Sequence, residues 1–276
     1  MSRITRAFTG GKAFIPFITG GDPDLDTTVK LVPAMAEAGA DLVEIGIPFS
    51  DPVAEGIVIQ EAGKRALRNG CTTDKLFAAV IRIRQKTNVP LLFMTYFNPI
   101  FTYGKEKFLS RCAGCGIDGI IVPDLPWEEK DELDDVCGLH GIDLISMIAP
   151  TSEGRIAMIA REARGFIYCV SSLGVTGVRS EITTDIGKMV QSVREVTTIP
   201  CAVGFGISTP EQAGGMAGLA DGVIAGSAIV KLVAKYGRDS VEPVSEYVRG
   251  MKRGMEDALK QTQGQGKNLQ GGHNHV

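Results

Sequence analysis

The chain has 276 residues, 44% of them hydrophobic, with 29 Lys and Arg against 32 Asp and Glu. The formal net charge of −3 gives no basic face for nucleic acid or for an anionic membrane surface. No apolar run reaches the roughly 20 residues of a membrane span, and the length suits one α/β barrel of roughly 250 residues.

The first apolar run, 13–18, is short and soon followed by Asp22-Pro23-Asp24. It reads as a strand and not as a signal peptide. Further strands are predicted at 41–47, 90–95, 119–122, 143–148, 166–170, 201–203 and 222–225. Several are apolar without alternation, as parallel strands buried on both faces are. Amphipathic stretches separate them. Leu76, Val80 and Ile83 share one face of a predicted helix over 73–86, with Thr72 or Thr73 as its cap. A later helix, about 241–259, carries Val244, Val248, Met251 and Met255 on its apolar side. Some eight βα units with no break in composition predict an α/β chain, a (β/α)8 barrel with extra helices, with a doubly wound sheet as the competing arrangement. One domain is expected over residues 1–260. The stretch 261–276, rich in Gln, Gly, Asn and His, is expected to be a disordered tail.

The six cysteines are scattered through core and helix sequence, which predicts a reduced, cytoplasmic protein. Cys112 and Cys115 form a CxxC with no second pair and no nearby histidine, so a structural role is predicted. Two of the three histidines lie in the tail, and no metal site is expected. The predicted sixth strand ends without a lysine, which argues against Schiff-base chemistry.

In a barrel the active site lies where the strands end. Glu44 interrupts the apolar Leu42-Val43-Glu44-Ile45. A carboxylate inside a buried strand is costly unless it is paired or functional. It is read either as a salt-bridge partner of a loop Arg or Lys or as an acid whose pKa burial raises. The loop after it holds Asp51, Pro52 and Glu55. Asp51 before proline suits a turn, and Glu55 before Gly56 suits either a solvated charge or a functional one. Three glycine-rich turns, at Gly174–Gly177, Gly204–Gly206 and Gly226-Ser227, follow predicted strands six, seven and eight. Glycines let backbone N–H groups approach phosphate oxygens, and Gly226-Ser227 opens a helical pattern whose dipole favours an anion. Plain turn chemistry is the alternative.

Pro16-Phe17-Ile18-Thr19-Gly20-Gly21-Asp22-Pro23 and Glu44-Ile45-Gly46-Ile47-Pro48-Phe49-Ser50-Asp51-Pro52 resemble two N-terminal signatures of the tryptophan synthase alpha subunit family. Gly174-Val175-Thr176-Gly177, Gly204-Phe205-Gly206-Ile207-Ser208, Pro210-Glu211-Gln212 and Gly226-Ser227-Ala228-Ile229-Val230 resemble its C-terminal ones. The resemblance implies a retro-aldol cleavage of indole-3-glycerol phosphate to indole and glyceraldehyde 3-phosphate. It places Glu44 on the family's catalytic glutamate. Glu55 falls where the family usually has a catalytic aspartate, and Ile57 replaces the proline common just after that motif. Tyr96 and Tyr168 fall near the indole pocket, and Phe17, Met94, Ile121 and Ile224 on its apolar lining. Gly177, Gly206, Gly226 and Ser227 fall on phosphate binders, and Thr176 on a mobile loop. Asp51 and Pro52 fall on a loop that communicates with a partner. That partner is a beta subunit in an α2β2 heterotetramer, and pyridoxal phosphate is expected only there. Two readings share the same residues: a weak alpha-like subunit that activates a beta subunit, and a free-standing lyase that releases indole.

Overall fold

The computed structural model describes residues 2–150, 153–170, 179–204 and 206–270, with backbone alone for 179–185 and 262–270. Its strands are β1 (Ala13–Thr19), β2 (Val43–Gly46), β3 (Leu91–Met94), β4 (Gly119–Ile121), β5 (Asp143–Leu144), β6 (Ser146–Ile148), β7 (Ile167–Val170), β8 (Cys201–Gly204) and β9 (Gly222–Ala225). They pair in the order β5-β4-β3-β2-β1-β9-β8-β7-β6, and each ladder is parallel. Only Ile145 separates β5 from β6, and its N–H donates to the Ile120 carbonyl at 2.9 Å. The two ends of the sheet are therefore halves of one stave. The ring closes with eight staves, and the predicted strand 143–148 is that split one. This is the (β/α)8 barrel; an open doubly wound sheet is excluded.

Successive side chains in a strand point to opposite faces, and this parity sorts the core in two. Ala13, Ile15, Leu42, Leu92, Ile121, Ile145, Phe166, Ala202 and Ile224 form a buried cluster inside the ring. Their neighbours Phe14, Val43, Ile45, Phe93 and Ile120 belong to the larger core beneath the helices. A short helix, Arg3–Arg6, closes the amino-terminal end of the ring. Ile4 is fully buried there, and Phe8 lies 5.5 Å from Phe166, ring to ring. Gly119 and Gly222, which open β4 and β9, leave room for this plug. A Cβ on either would stand 2.9 Å from Ile4 or Phe8.

Three aspartates just before strands fasten the same end. Asp41 accepts from the Phe14 N–H at 2.7 Å, Asp118 from Leu91 at 2.9 Å and Asp221 from Cys201 at 3.0 Å. Each satisfies a backbone donor at the sheet's margin, and each is also paired with a cation: Lys252 on Asp41, Arg3 and Arg84 on Asp118, Lys12 and Arg194 on Asp221.

The predicted helical faces hold. Leu76, Val80 and Ile83 are buried on Thr73–Arg84, and Thr72 caps it by accepting from the Lys75 N–H at 3.3 Å. Val244, Val248, Met251 and Met255 are buried on the final helix. That helix, Val241–Gln270, runs past residue 260, where composition closes the domain; residues 271–276 lie outside the described residues. All six cysteines are free and buried, and Cys112 and Cys115 pack on the inner face of Lys105–Cys115. No described helix is long and apolar enough to cross a membrane.

Candidate active site at the carboxyl ends of the strands

Glu44 stands in the middle of β2 between Val43 and Ile45. Those neighbours face the outer core, so parity turns Glu44 into the ring. Its register partners are Phe17 on β1 and Leu92 on β3. It is 0% exposed, and neither carboxyl oxygen has a hydrogen-bond partner among the described residues. Among the described residues the salt bridge allowed by the sequence is absent. Burial without a counter-charge pushes the carboxyl up to about 8, so the protonated acid is the ground state near neutrality. Tyr168, on β7 next to the split stave, is its electrostatic neighbour. The tyrosine hydroxyl is held well above its ordinary value, by burial first and then by the Glu44 charge.

Two glycines make room for the rings around this acid. A Cβ on Gly204 would fall 2.4 Å from the Tyr168 hydroxyl, and one on Gly46 would fall 2.6 Å from the Phe17 ring. Gly204 thus serves Tyr168, a role its place in a glycine-rich turn does not announce. Phe17 and Ile224 are 4% and 3% exposed and Ile121 is fully buried, while Met94 is half-buried. Met94 joins the interior cluster to the group of Phe17, Ala62 and Val230. Met147 on β6 packs, as Met94 and Tyr168 do, against the same interior cluster. The sequence reasoning missed it, although it is in phase with Ile145 along the stave.

Glu55 lies on the loop that leads from β2 to the helix Ile57–Arg68. It is half-buried, and burial raises its carboxyl above the ordinary value. Beside it stands Tyr96, 2% exposed, with its ring 5.5 Å from that of Phe49. The Tyr96 hydroxyl is raised mainly by burial, with the Glu55 charge adding to it. The site residues thus form two electrostatic neighbourhoods, Glu44 with Tyr168 inside the ring and Glu55 with Tyr96 at its rim. Asp51, Pro52 and Val53 lie on the outer part of the same loop, and Asp51 accepts a hydrogen bond from Ser50 at 2.5 Å.

Across the ring mouth, Gly226 precedes the helix Ser227–Tyr236 without any side-chain cap, leaving its first N–H groups available to an anion. Ser227 is exposed, and Gly206 has a φ of +70° with nothing within 4 Å of a Cβ position. Thr176 and Gly177 lie outside the described residues. Among the described residues no group of three or more His, Cys, Asp or Glu is arranged to hold a metal. A cleft of about 280 Å³ lies beside the ring, between the loop 122–127 and the helix Glu153–Glu162. It contains neither glutamate, so volume alone does not locate the chemistry.

Fold and site define a (β/α)8 barrel of the enzyme type, with a buried carboxyl in an apolar chamber at the strand ends. The model of the family "Tryptophan synthase alpha chain" matches residues 5–260. The alpha chain of Lacticaseibacillus casei is 48% identical over 261 residues, covering 95% of this chain and 98% of that one. That of Citrifermentans bemidjiense is 49% identical over 262 residues, covering 92% and 98%. The solved alpha subunit from Legionella pneumophila superposes with a TM-score of 0.84 at 34% identity, over 93% of this chain and 99% of that one. A Pyrococcus furiosus chain, from a study of mutual activation in the tryptophan synthase α2β2 complex, superposes with a TM-score of 0.81. It is 36% identical, over 87% of this chain and 98% of that one. This chain belongs to the tryptophan synthase alpha chain family and is a lyase that cleaves indole-3-glycerol phosphate.

The raised Glu44 carboxyl has a consequence for stability. Between its ordinary value of 4.5 and about 8 the native protein holds a proton that the unfolded chain has lost. Stability conferred at this site therefore falls as pH rises through that interval. Glu44→Gln removes the dependence. Measured by urea midpoints, the variant is expected to gain on the parent from about pH 5 to about pH 8. A difference that stays constant with pH shows instead that the carboxyl titrates normally.

Proposed function

We propose that Glu44 is the proton shuttle of the retro-aldol cleavage and that Glu55 stabilises the charge developing at the indole nitrogen. The carrying observation is that Glu44 is fully buried with no hydrogen-bond partner among the described residues, a setting that pushes its carboxyl up to about 8. Its proton goes to indole C3, which places positive charge on the ring. The carboxylate left behind takes the proton of the side-chain hydroxyl. The electron pair of that O–H becomes the aldehyde π bond as the bond from C3 to the glycerol carbon breaks, and its electrons return to the ring. Glu44 ends as the acid it began as, so protons and electrons balance without a redox partner. Glu55, at the rim beside Tyr96, supplies negative charge where the ring N–H acidifies.

Substrate placement follows from the same chamber. Phe17, Met94, Ile121, Tyr168 and Ile224 offer apolar surface to the indole, with Tyr96 near it. The uncapped turn at Gly226 and Ser227, together with Gly206 and Gly177, would hold the phosphate, with Thr176 on the neighbouring loop. A ligand fixed at both ends loses little freedom on reaching the transition state. The alpha chain needs no cofactor in this reading; pyridoxal phosphate belongs to a beta subunit.

We further infer that a beta subunit docks over the mouth to form an α2β2 assembly. Val53, Ile57 and Phe101 are 81%, 73% and 64% exposed, and Asp51 and Pro52 share the loop of Val53. Val53 is on the loop after β2, Ile57 opens the helix that follows, and Phe101 is on the helix Phe97–Tyr103; exposed apolar side chains such as these suit a partner surface. The Pyrococcus furiosus relative supports this by its association with an α2β2 complex. The buried free cysteines fit a reducing, cytoplasmic setting.

Loss of Glu44 as Glu44→Gln is expected to reduce kcat by about 10²–10⁴-fold. Glu55→Ala is expected to lose at least about 10²-fold. Steady-state assays of indole release, with beta subunit saturating, measure both. Near-normal release by Glu55→Ala beside an inactive Glu44→Gln removes Glu55 from the mechanism. For docking, Phe101→Asp is expected to weaken beta-subunit binding about tenfold or more, read by analytical ultracentrifugation; unchanged affinity places the interface elsewhere.

A further inference from the structure

The loop that carries Glu55 has little of its own to hold it. Gly56 follows, the residue type with the greatest backbone freedom, and it leads into Ile57–Arg68 with no side-chain cap. Two side chains from outside the loop grip its backbone, one at Ala54 and one at the carbonyl of Glu55. The Tyr96 hydroxyl accepts a hydrogen bond from the Ala54 N–H at 3.0 Å. The Gln60 side-chain amide donates to the Glu55 carbonyl at 2.8 Å.

Both grips are themselves anchored. Tyr96 is 2% exposed and packs on Phe49. The next residue, Phe97, donates its N–H to the Asp124 carboxylate at 2.9 Å, which ties the end of β3 to the loop after β4. Gln60 sits in the first turn and a half of a regular helix. Further along that helix, Arg65 donates two hydrogen bonds to the buried Asp22, at 2.9 and 2.8 Å. The helix is thereby fastened to the turn after β1.

We propose that Tyr96 and Gln60 are positioning residues that set the backbone at Glu55 and so place its carboxyl at the rim of the chamber. The proposal rests on the Glu55 assignment made above. A glutamate has one more rotatable bond than an aspartate, so its carboxyl is placed well only where the backbone beneath it is fixed. A misplacement of about 1 Å can cost about 10²-fold in rate. The Tyr96 hydroxyl thus serves the loop, while its ring serves the pocket wall.

Double-mutant cycles test this on the full chain saturated with beta subunit. Tyr96→Phe keeps the ring and removes the acceptor. Gln60→Met keeps the length and removes the donor. Each is expected to lower kcat for indole-3-glycerol phosphate cleavage about 10- to 100-fold, with KM changed by less than about threefold. In a Glu55→Gln background each is expected to cost almost nothing further, because the group being positioned is gone. Equal losses in both backgrounds overturn the proposal, since the two side chains then act independently of Glu55. Parent-like turnover by Tyr96→Phe and Gln60→Met beside an impaired Glu55→Gln sinks the brace and leaves the Glu55 assignment standing. Parent-like turnover by Glu55→Gln itself sinks that assignment and the brace with it.

Discussion

The constraint on which the rest depends is the removal of one carboxyl from water. A closed parallel barrel buries both faces of its strands, so a side chain turned inward has no route to solvent through the wall. Glu44 is such a side chain, with Phe17 and Leu92 as register partners and, among the described residues, no hydrogen-bond partner for either oxygen. An isolated carboxylate there is far costlier than a neutral acid. The group answers by keeping its proton. An acid that must protonate a carbon near neutrality needs that property, and here it comes from the fold and not from a neighbouring charge.

The distribution of cations makes the arrangement coherent. Lys12, Arg3, Arg84, Arg194 and Lys252 are engaged with Asp221, Asp118 and Asp41 at the amino-terminal end of the ring. Arg65 is engaged with Asp22 outside the chamber. A lysine or arginine aimed at Glu44 would pull its pKa down and leave a carboxylate with no proton to give. The barrel therefore separates its tasks by end. One end is fastened by ion pairs and plugged by Ile4 and Phe8, and the other keeps an uncharged acid, apolar walls and open loops.

Much of this was legible in the residues, for reasons that differ by element. Parallel strands read as short unbroken apolar runs, so all eight staves were visible, including 143–148, whose halves pair with different neighbours. Glu44 was visible because a charged residue inside such a run is conspicuous. Whether it was paired was not, since that depends on which of 29 basic side chains reach it. The role of Gly204 was hidden for a similar reason, because a glycine-rich turn and a clearance for Tyr168 look alike in sequence. The bond from Tyr96 to Ala54 spans 42 residues, and no local pattern encodes it. Met147 was within reach of simple strand parity. The plug formed by Ile4 and Phe8 was not, because a four-residue helix has too few positions to show a period.

The protonation state of Glu44 is the central claim, and difference infrared spectroscopy reads it directly. The spectrum of the parent minus that of Glu44→Gln isolates the carboxyl stretch. The account predicts a protonated carboxyl band at neutral pH that disappears with a midpoint near 8. A band already replaced by carboxylate at about pH 5.5, about one unit above the ordinary glutamate range, contradicts it.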